Sequence, residues 1–324
     1  MMKTSRWLLL LLTMILSAGL ASAQGRYPDR PVKLVVGFPA GQATDIAARL
    51  LAERLSQSLG QPFVVENRPG QGGSIGLAHL AKAPADGYTM VLAATASLVT
   101  NPHLYKAVGY DPLTDFAPSG VMMEIPLALV AHPSAPFNTL PELLAYAKAN
   151  PGKLNYASVG NGTLSHLAME RLKREADVSL MHIPYQGSVR SIADLLAGNV
   201  LVSFDTLTVT LPHIESKKLK LIAVASEKRV PQLPDAPTMI EAGVPGFVAS
   251  PWLGVLFPKG TPPEIVATIN GEMRKALRDP GMQKSMQTIG ALPRPNSPEE
   301  FTRLIQEDHA RWGRIVRESG ARVD

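Results

Sequence analysis

Residues 33–59, KLVVGFPAGQATDIAARLLAERLSQSL, constrain the fold of this chain more than any other stretch. A continuous apolar run, Leu34, Val35, Val36 and then Phe38, suits a strand buried on both faces. Pro39, Ala40 and Gly41 break it, and apolar residues resume at helical spacing with Ile46, Leu50, Leu51, Leu55 and Leu59. Thr44 and Asp45 stand where an N-cap and a first-turn acid belong, and Gly60 where a helix stops. A buried strand passing through a glycine turn into a helix is the repeating unit of α/β folds. It leaves backbone N–H groups aimed at one point, and the helix dipole makes that point attractive to an anion. Most such turns bind nothing, so this stretch alone leaves an anion site open.

The alternation continues. Phe63–Asn67 and Thr89–Thr95 read as strands, with a helix over Ser74–Ala83 between them. Further strands are expected over 127–132, 154–159, 182–185, 200–205, 219–225 and 252–257, with helices opening at Thr139, after Gly162 and at Ser188. Thr139-Leu-Pro-Glu142, Thr261-Pro-Pro-Glu264 and Ser297-Pro-Glu-Glu300 each fit a capping box with an early proline. The pattern predicts parallel sheets covered on both faces by helices. With 324 residues, two cores are expected rather than one. The strand–glycine turn–helix unit recurs at 34–46 and 154–167, and two such units facing one another would clamp an anion from both sides.

Lys3 and Arg6, the apolar run Leu8–Leu20 and Ala21-Ser22-Ala23 read as a cleaved export signal, giving a mature chain from about Gln24. The run is too short to span a bilayer as a helix. The chain has no cysteine, so an exported product would rely on packing rather than disulfides. The formal charge of +5 falls once Lys3 and Arg6 leave, and the basic residues are scattered among few aromatics, which argues against nucleic acid as a partner.

GFPAGQATDIAARLLAERL at 37–55, ENRPGQGGSIGLAHLAKAPADGY at 66–88, NPHLY at 101–105, YASVGNGTLSHLAMERL at 156–172, PYQGSVRSIADLLAGNV at 184–200 and PDAPTMIEAGVPGF at 234–247 resemble, in this order, the substrate-binding proteins of tripartite tricarboxylate transporters, the Bug receptors. The resemblance implies an α/β, two-domain periplasmic-binding-protein fold of the type II, flytrap class, each domain a mainly parallel sheet flanked by helices. It implies one domain from 24–124 plus 250–324 and the other from 125–249, with the ligand cleft between them. It also implies a monomeric periplasmic receptor, not an enzyme, that needs no cofactor and passes a small carboxylate to membrane carrier subunits. Carried over by residue, the carboxylate meets Phe38, Ala40, Gly41 and Asp45 from one side. From the other come the turn Ser158, Gly160, Asn161 and Gly162, then Thr163, Ser165 and His166, with Gly187 and Asp205 lining the cleft. Gln42 replaces a second glycine common in the family, and its side chain either narrows the pocket or adds an amide hydrogen bond.

The residues themselves agree with such a site. Two helix N-termini supply carboxylate donors without any arginine, and hydrogen bonds to a charged group contribute about 1.5–3 kcal/mol each. Thr44, Thr163 and Ser165 are candidate hydroxyl donors, with helix capping the plainer role of Thr44. Asp45 opposes a nearby anion and suits a structural or water-mediated role. A bulky side chain at Gly41 is expected to block close backbone approach. The competing reading is an exported serine hydrolase. Gly72-Gly-Ser74-Ile-Gly76 fits a nucleophile elbow but lacks the strand feeding the serine, and a Ser158/His166/Asp205 triad can be drawn. The seven histidines show no metal-ligand spacing.

Overall fold

The structure is a computed structural model, described over residues 27–321; the expected export signal lies outside those residues. The chain builds a six-stranded and a five-stranded sheet, each covered by helices on both faces. In the first lobe run β1 (Val32–Val36), α1 (Ala43–Leu59), β2 (Phe63–Asn67), α2 (Ser74–Leu80), β3 (Thr89–Ala94), α3 (Thr95–Val99), α4 (Asn101–Leu104) and β4 (Phe116–Glu124). The second lobe contains β5 (Leu127–Ala131), α5 (Leu140–Ala149), β6 (Asn155–Ser158), α6 (Leu164–Ala176), β7 (Met181–Pro184), α7 (Ser188–Leu196), β8 (Val202–Thr206), α8 (Leu207–Glu215) and β9 (Lys220–Val224). The chain then returns to the first lobe as β10 (Trp252–Pro258), α9 (Pro263–Ala276), α10 (Pro280–Thr288), β11 (Leu292–Pro293) and α11 (Pro298–Ser319).

The strand orders are β11-β4-β10-β3-β1-β2 and β7-β6-β8-β5-β9. β1 lies parallel between β2 and β3, with Val32 opposite Phe63 and Lys33 opposite Thr89. Four of its five residues are buried, as the unbroken apolar run requires. The sheets are mixed rather than mainly parallel. β10 runs antiparallel to both β3 and β4, and β5 antiparallel to both β8 and β9, because these strands carry the chain out of one lobe and back into the other.

One face of the first sheet packs Leu51 and Leu55 of α1 with Ile269 and Met273 of α9. Its opposite face meets Leu77 and Leu80 of α2 and Phe301, Ile305 and Trp312 of α11, in a core continuous with Leu143, Leu167 and Leu172 of the second lobe. The lobes join where two segments run side by side: Ile125 N–H donates to Pro251 O at 2.7 Å and Leu127 N–H to Ala249 O at 3.1 Å. Arg174 of α6 pairs with Glu318 of α11, and Thr208 donates to Ile289 O, so the lobes also touch away from these crossovers.

Local rules fail in instructive places. α1 starts two residues earlier than expected: Gln42 is its N-cap and Thr44 is buried within its first turn. Ser74 does not cap α2; Gly73 holds that position. The box at 297–300 forms, whereas Thr261 donates to Pro258 O and Pro262, not Thr261, is the N-cap of α9. Thr139 accepts from Glu142 N–H, but the Glu142 carboxylate reaches Asn138 N–H instead of completing the box. No strand is expected over 116–124, yet β4 forms there, and its Pro118 sits where the pairing with β10 shifts register, a place a strand tolerates proline.

Candidate functional site between the lobes

A cavity of about 350 Å3 lies between the two sheets, within the size range of small-ligand sites. From the first lobe it is lined by Phe38 on the β1–α1 turn, Gly72, the β3–α3 junction at Ala94, Thr95 and Ala96, and Asn101, Leu104 and Tyr105 around α4. The second lobe contributes Val159 and Asn161 through Ser165 around the β6–α6 turn, Ser188 at the start of α7, and Asp205 and Thr206 at the end of β8. Leu127 and Pro251 close it at the crossovers. The ends of β3, β6 and β8 thus converge, as expected of an α/β site at the carboxyl edges of strands.

The second-lobe turn has the features of an anion site. Thr163 caps α6 by accepting from His166 N–H, and the first helical bond is Leu167 N–H to Thr163 O at 2.9 Å. The amides of Leu164 and Ser165 therefore precede the helical ladder, at the positive end of the dipole and on the cavity wall. Gly162 adopts φ +72° and donates its N–H to His166 Nδ1 at 3.1 Å, so that nitrogen is an acceptor. A Cβ at Gly162 would stand 2.7 Å from Leu104 of the opposite lobe, so the lobes are in contact across this turn.

Two histidines brace the turn from behind. His166 stacks on His182 with centroids 4.0 Å apart, and His182 stacks on Tyr156 at 4.8 Å. Tyr156 OH donates to Glu170 at 2.5 Å, and Lys173 reaches the same carboxylate at 2.7 Å. Burial, then the neighbouring His166, pushes His182 down to about 4; burial also lowers His166. Both rings are neutral at neutral pH.

The first-lobe turn behaves differently. Asp45 turns back into it: Oδ2 accepts from Gly41 N–H at 2.8 Å and Arg49 Nε at 2.9 Å, and Oδ1 accepts from Asn67 Nδ2 at 2.9 Å. The Arg49 guanidinium, aided by the Gly41 and Asn67 bonds, holds its pKa near 2 against the effect of burial. The anion at this turn is thus the chain's own carboxylate. Ala40, Gly41 and Gln42 are exposed outside the cavity lining, Thr44 and Asp45 are buried beneath it, and Phe38 is what the turn presents. Gly41 keeps φ +82°, but a Cβ there would meet open space, so a side chain would act through backbone strain rather than bulk.

Of the other expected residues, Asn161, Gly162, Thr163, Ser165 and Asp205 line the cavity. Ser158, Gly160 and His166 lie behind the turn, and Gly187 caps α7 beside the lining residue Ser188. Thr163 and Ser165 are not donors to the cavity: Thr163 donates to Gly160 O at 2.7 Å and Ser165 to Phe204 O. Thr95 and the α4 residues were not expected. The helix after β3 is a single short turn without a capping signature, and only its position at a strand's carboxyl end could have marked it.

The hydrolase constellations do not assemble. Ser74 Oγ is buried and accepts from Asn101 Nδ2 and Tyr110 OH, at 2.9 Å and 3.1 Å. Ser158 Oγ lies 2.6 Å from His182 Nε2, a nucleophile–base distance, but Ser158 is fully buried and neither residue lines the cavity. His166 bonds Gly162 and Asp205 bonds Ser188, so Ser158, His166 and Asp205 form no triad. Among the described residues no cluster of three or more His, Asp or Glu could hold a metal ion, and no helix is long and apolar enough to cross a membrane.

Comparison with known proteins agrees with this architecture. The family described as "Tripartite tricarboxylate transporter family receptor" matches residues 47–321. Protein BugT of Bordetella pertussis is 37% identical, over 99% of this chain and all of that protein. The solved structure of R. palustris Rpa4515 with adipate is 37% identical, with a TM-score of 0.80 over 91% of this chain and 99% of its own. MatC (Rpa3494) from Rhodopseudomonas palustris, solved with bound malate, is 33% identical, with a TM-score of 0.74 over 90% of this chain and all of its own. A match of this extent leaves one assignment: the chain belongs to the tripartite tricarboxylate transporter receptor family.

Proposed function

We propose that this protein is a periplasmic solute-binding receptor that captures a small carboxylate between its lobes and delivers it to a membrane carrier of the tripartite tricarboxylate type. The carrying observation is the interlobe cavity whose second-lobe wall presents the N-terminal amides of α6, unspent by the helix and facing no cationic side chain. Adipate and malate in two relatives support a carboxylate as the solute class. The ligand carboxylate would rest on the 161–165 turn, with Phe38, Leu104 and Leu127 packing its carbon skeleton. The binding domains would comprise 24–124 plus 250–324 and 125–249, with the hinge at the paired crossovers, so that closure buries the solute.

A thermal-shift screen of the chain from Gln24 onward against mono-, di- and tricarboxylates, aromatic acids and amino acids tests this. A true ligand at 100 times its dissociation constant stabilises by about 2.7 kcal/mol. Saturable stabilisation by an acid without product formation is expected. Stabilisation only by uncharged compounds, or ester turnover abolished by Ser158→Ala, would overturn the receptor reading.

A further inference from the structure

Asp205 is the one residue of the cavity wall that carries a charge at neutral pH, and it is negative. It closes β8, is 1% exposed, and uses only one of its oxygens in the fold. Oδ1 accepts from Ser188 Oγ at 2.9 Å and from Thr206 N–H at 2.7 Å. Oδ2 is buried and meets no hydrogen-bond partner among the described residues. Burial raises its pKa to about 6, so the carboxylate is largely ionised at neutral pH. A buried ionised oxygen without a donor from the protein is costly and calls for a partner from outside the chain, a solute group or a water.

The cavity wall supplies no cationic partner for it. Its lining contains no lysine, arginine or histidine. Thr95 donates to Trp252 O, Thr163 to Gly160 O, Ser165 to Phe204 O and Ser188 to Asp205 itself. These four hydroxyls turn lone pairs, not protons, toward the interior. One end of the site therefore offers amide donors for an anion, and Asp205 offers an acceptor that demands a proton. We propose that the solute is a carboxylic acid that also carries a hydrogen-bond donor, an ammonium or a hydroxyl, which pairs with Asp205 Oδ2. This deepens the receptor reading and rests on it. A plain dicarboxylate would instead bring a second negative charge into a wall already holding one.

Isothermal titration of wild type and Asp205→Asn against matched acids tests this. Suitable sets are propanoate, lactate and alanine; succinate, L-malate and L-aspartate; glutarate, L-2-hydroxyglutarate and L-glutamate; and adipate with L-2-aminoadipate. Within the chain length that binds, the donor-bearing acid should bind about ten- to a hundredfold more tightly than its donor-free counterpart, the worth of one charge-assisted hydrogen bond. Hydroxyl against ammonium within a set identifies which donor is read. Asp205→Asn keeps an oxygen for Ser188 and Thr206 while placing an NH2 where Oδ2 was, so it should erase or reverse the preference. Equal or tighter binding of the donor-free acid by wild type overturns the inference and leaves the receptor reading standing. An unchanged preference in Asp205→Asn also overturns it. Failure of every acid to bind sinks both.

Discussion

If Oδ2 of Asp205 is ionised without a partner in the ligand-free protein, the fold bears a cost that an uncharged isostere removes. Burial raises the carboxyl from its ordinary 3.8 to about 6. The unfolded chain therefore releases the proton more readily than the native one. A raised folded pKa gives stability that is present below the unfolded pKa and lost as pH rises through the folded value. At 1.36 kcal/mol per pKa unit, ionisation costs the native state about 3 kcal/mol at pH 7.5, and about 2 kcal/mol of that is recovered by pH 4.5. Asp205→Asn has no such ionisation. Its melting temperature relative to wild type should therefore be most favourable at pH 7.5 and fall by about 4–8 °C on moving to pH 4.5, taking about 2–4 °C per kcal/mol. Other titrating groups are shared by both proteins and cancel in the difference, as does any fixed cost of burying the new amide. Differential scanning calorimetry of both, without solute, at four pH values between 4.5 and 7.5 reads this directly. A gap that stays constant with pH, or widens in acid, refutes the claim that this carboxylate is buried and ionised.

Three further outcomes follow from the geometry of the second-lobe turn. Gly162→Ala strains a backbone at φ +72° by about 1 kcal/mol and drives a methyl against Leu104 across the cleft, so solute affinity should fall about tenfold. Leu104→Ala in the same chain should restore part of it, and strictly additive effects in calorimetry would refute the contact. His182 is pushed down to about 4, so stability should be lost as pH falls from the unfolded value near 6.5 toward 4; allowing for its partial exposure this is about 1–2 kcal/mol, and urea unfolding of His182→Gln should show a flatter acid limb. His166→Asp would place a negative charge beside the N-terminus of α6, and affinity for an acid should drop tenfold or more with the fold retained; unchanged affinity would remove the anion from this turn.

The opening strand, its glycine turn and its helix are legible because periodicity and turn chemistry act within a dozen residues, as they do around Ser297 and Gly60. What the sequence hides depends on distant partners. β4 becomes a strand because β10 accepts its proline at a register shift, and α8 is helical despite its β-branched start and internal Pro212 because Leu207 and Leu211 are packed into the second lobe. Thr163 and Ser165 look like donors in sequence, but acceptors at Gly160 and Phe204 take their protons, and the latter lies 39 residues away. Asp205 is recognisable as a strand-end acid; that one of its oxygens lacks a donor is a property only of the assembled wall.

The two glycine turns make the same local device from different chemistry. In each, a glycine at positive φ donates its N–H to the side chain four residues on: Gly41 to Asp45, Gly162 to His166. The spacing and the backbone are shared, so both turns aim amides along a helix axis. In the first lobe the accepting group is a carboxylate, further held by Arg49 and Asn67, and it supplies the negative charge that the helix end attracts. In the second the acceptor is a neutral imidazole, kept neutral by burial against His182, and it braces the loop without neutralising the field. A solute carboxylate, as proposed, would therefore gain more at α6 than at α1, although the sequence gives both turns the same form. The asymmetry matches a cavity lined by six residues around one turn and a single phenylalanine of the other, and under the proposed receptor function it would make the charge of the residue four positions after the glycine, rather than the glycine itself, the determinant of which lobe holds the anion.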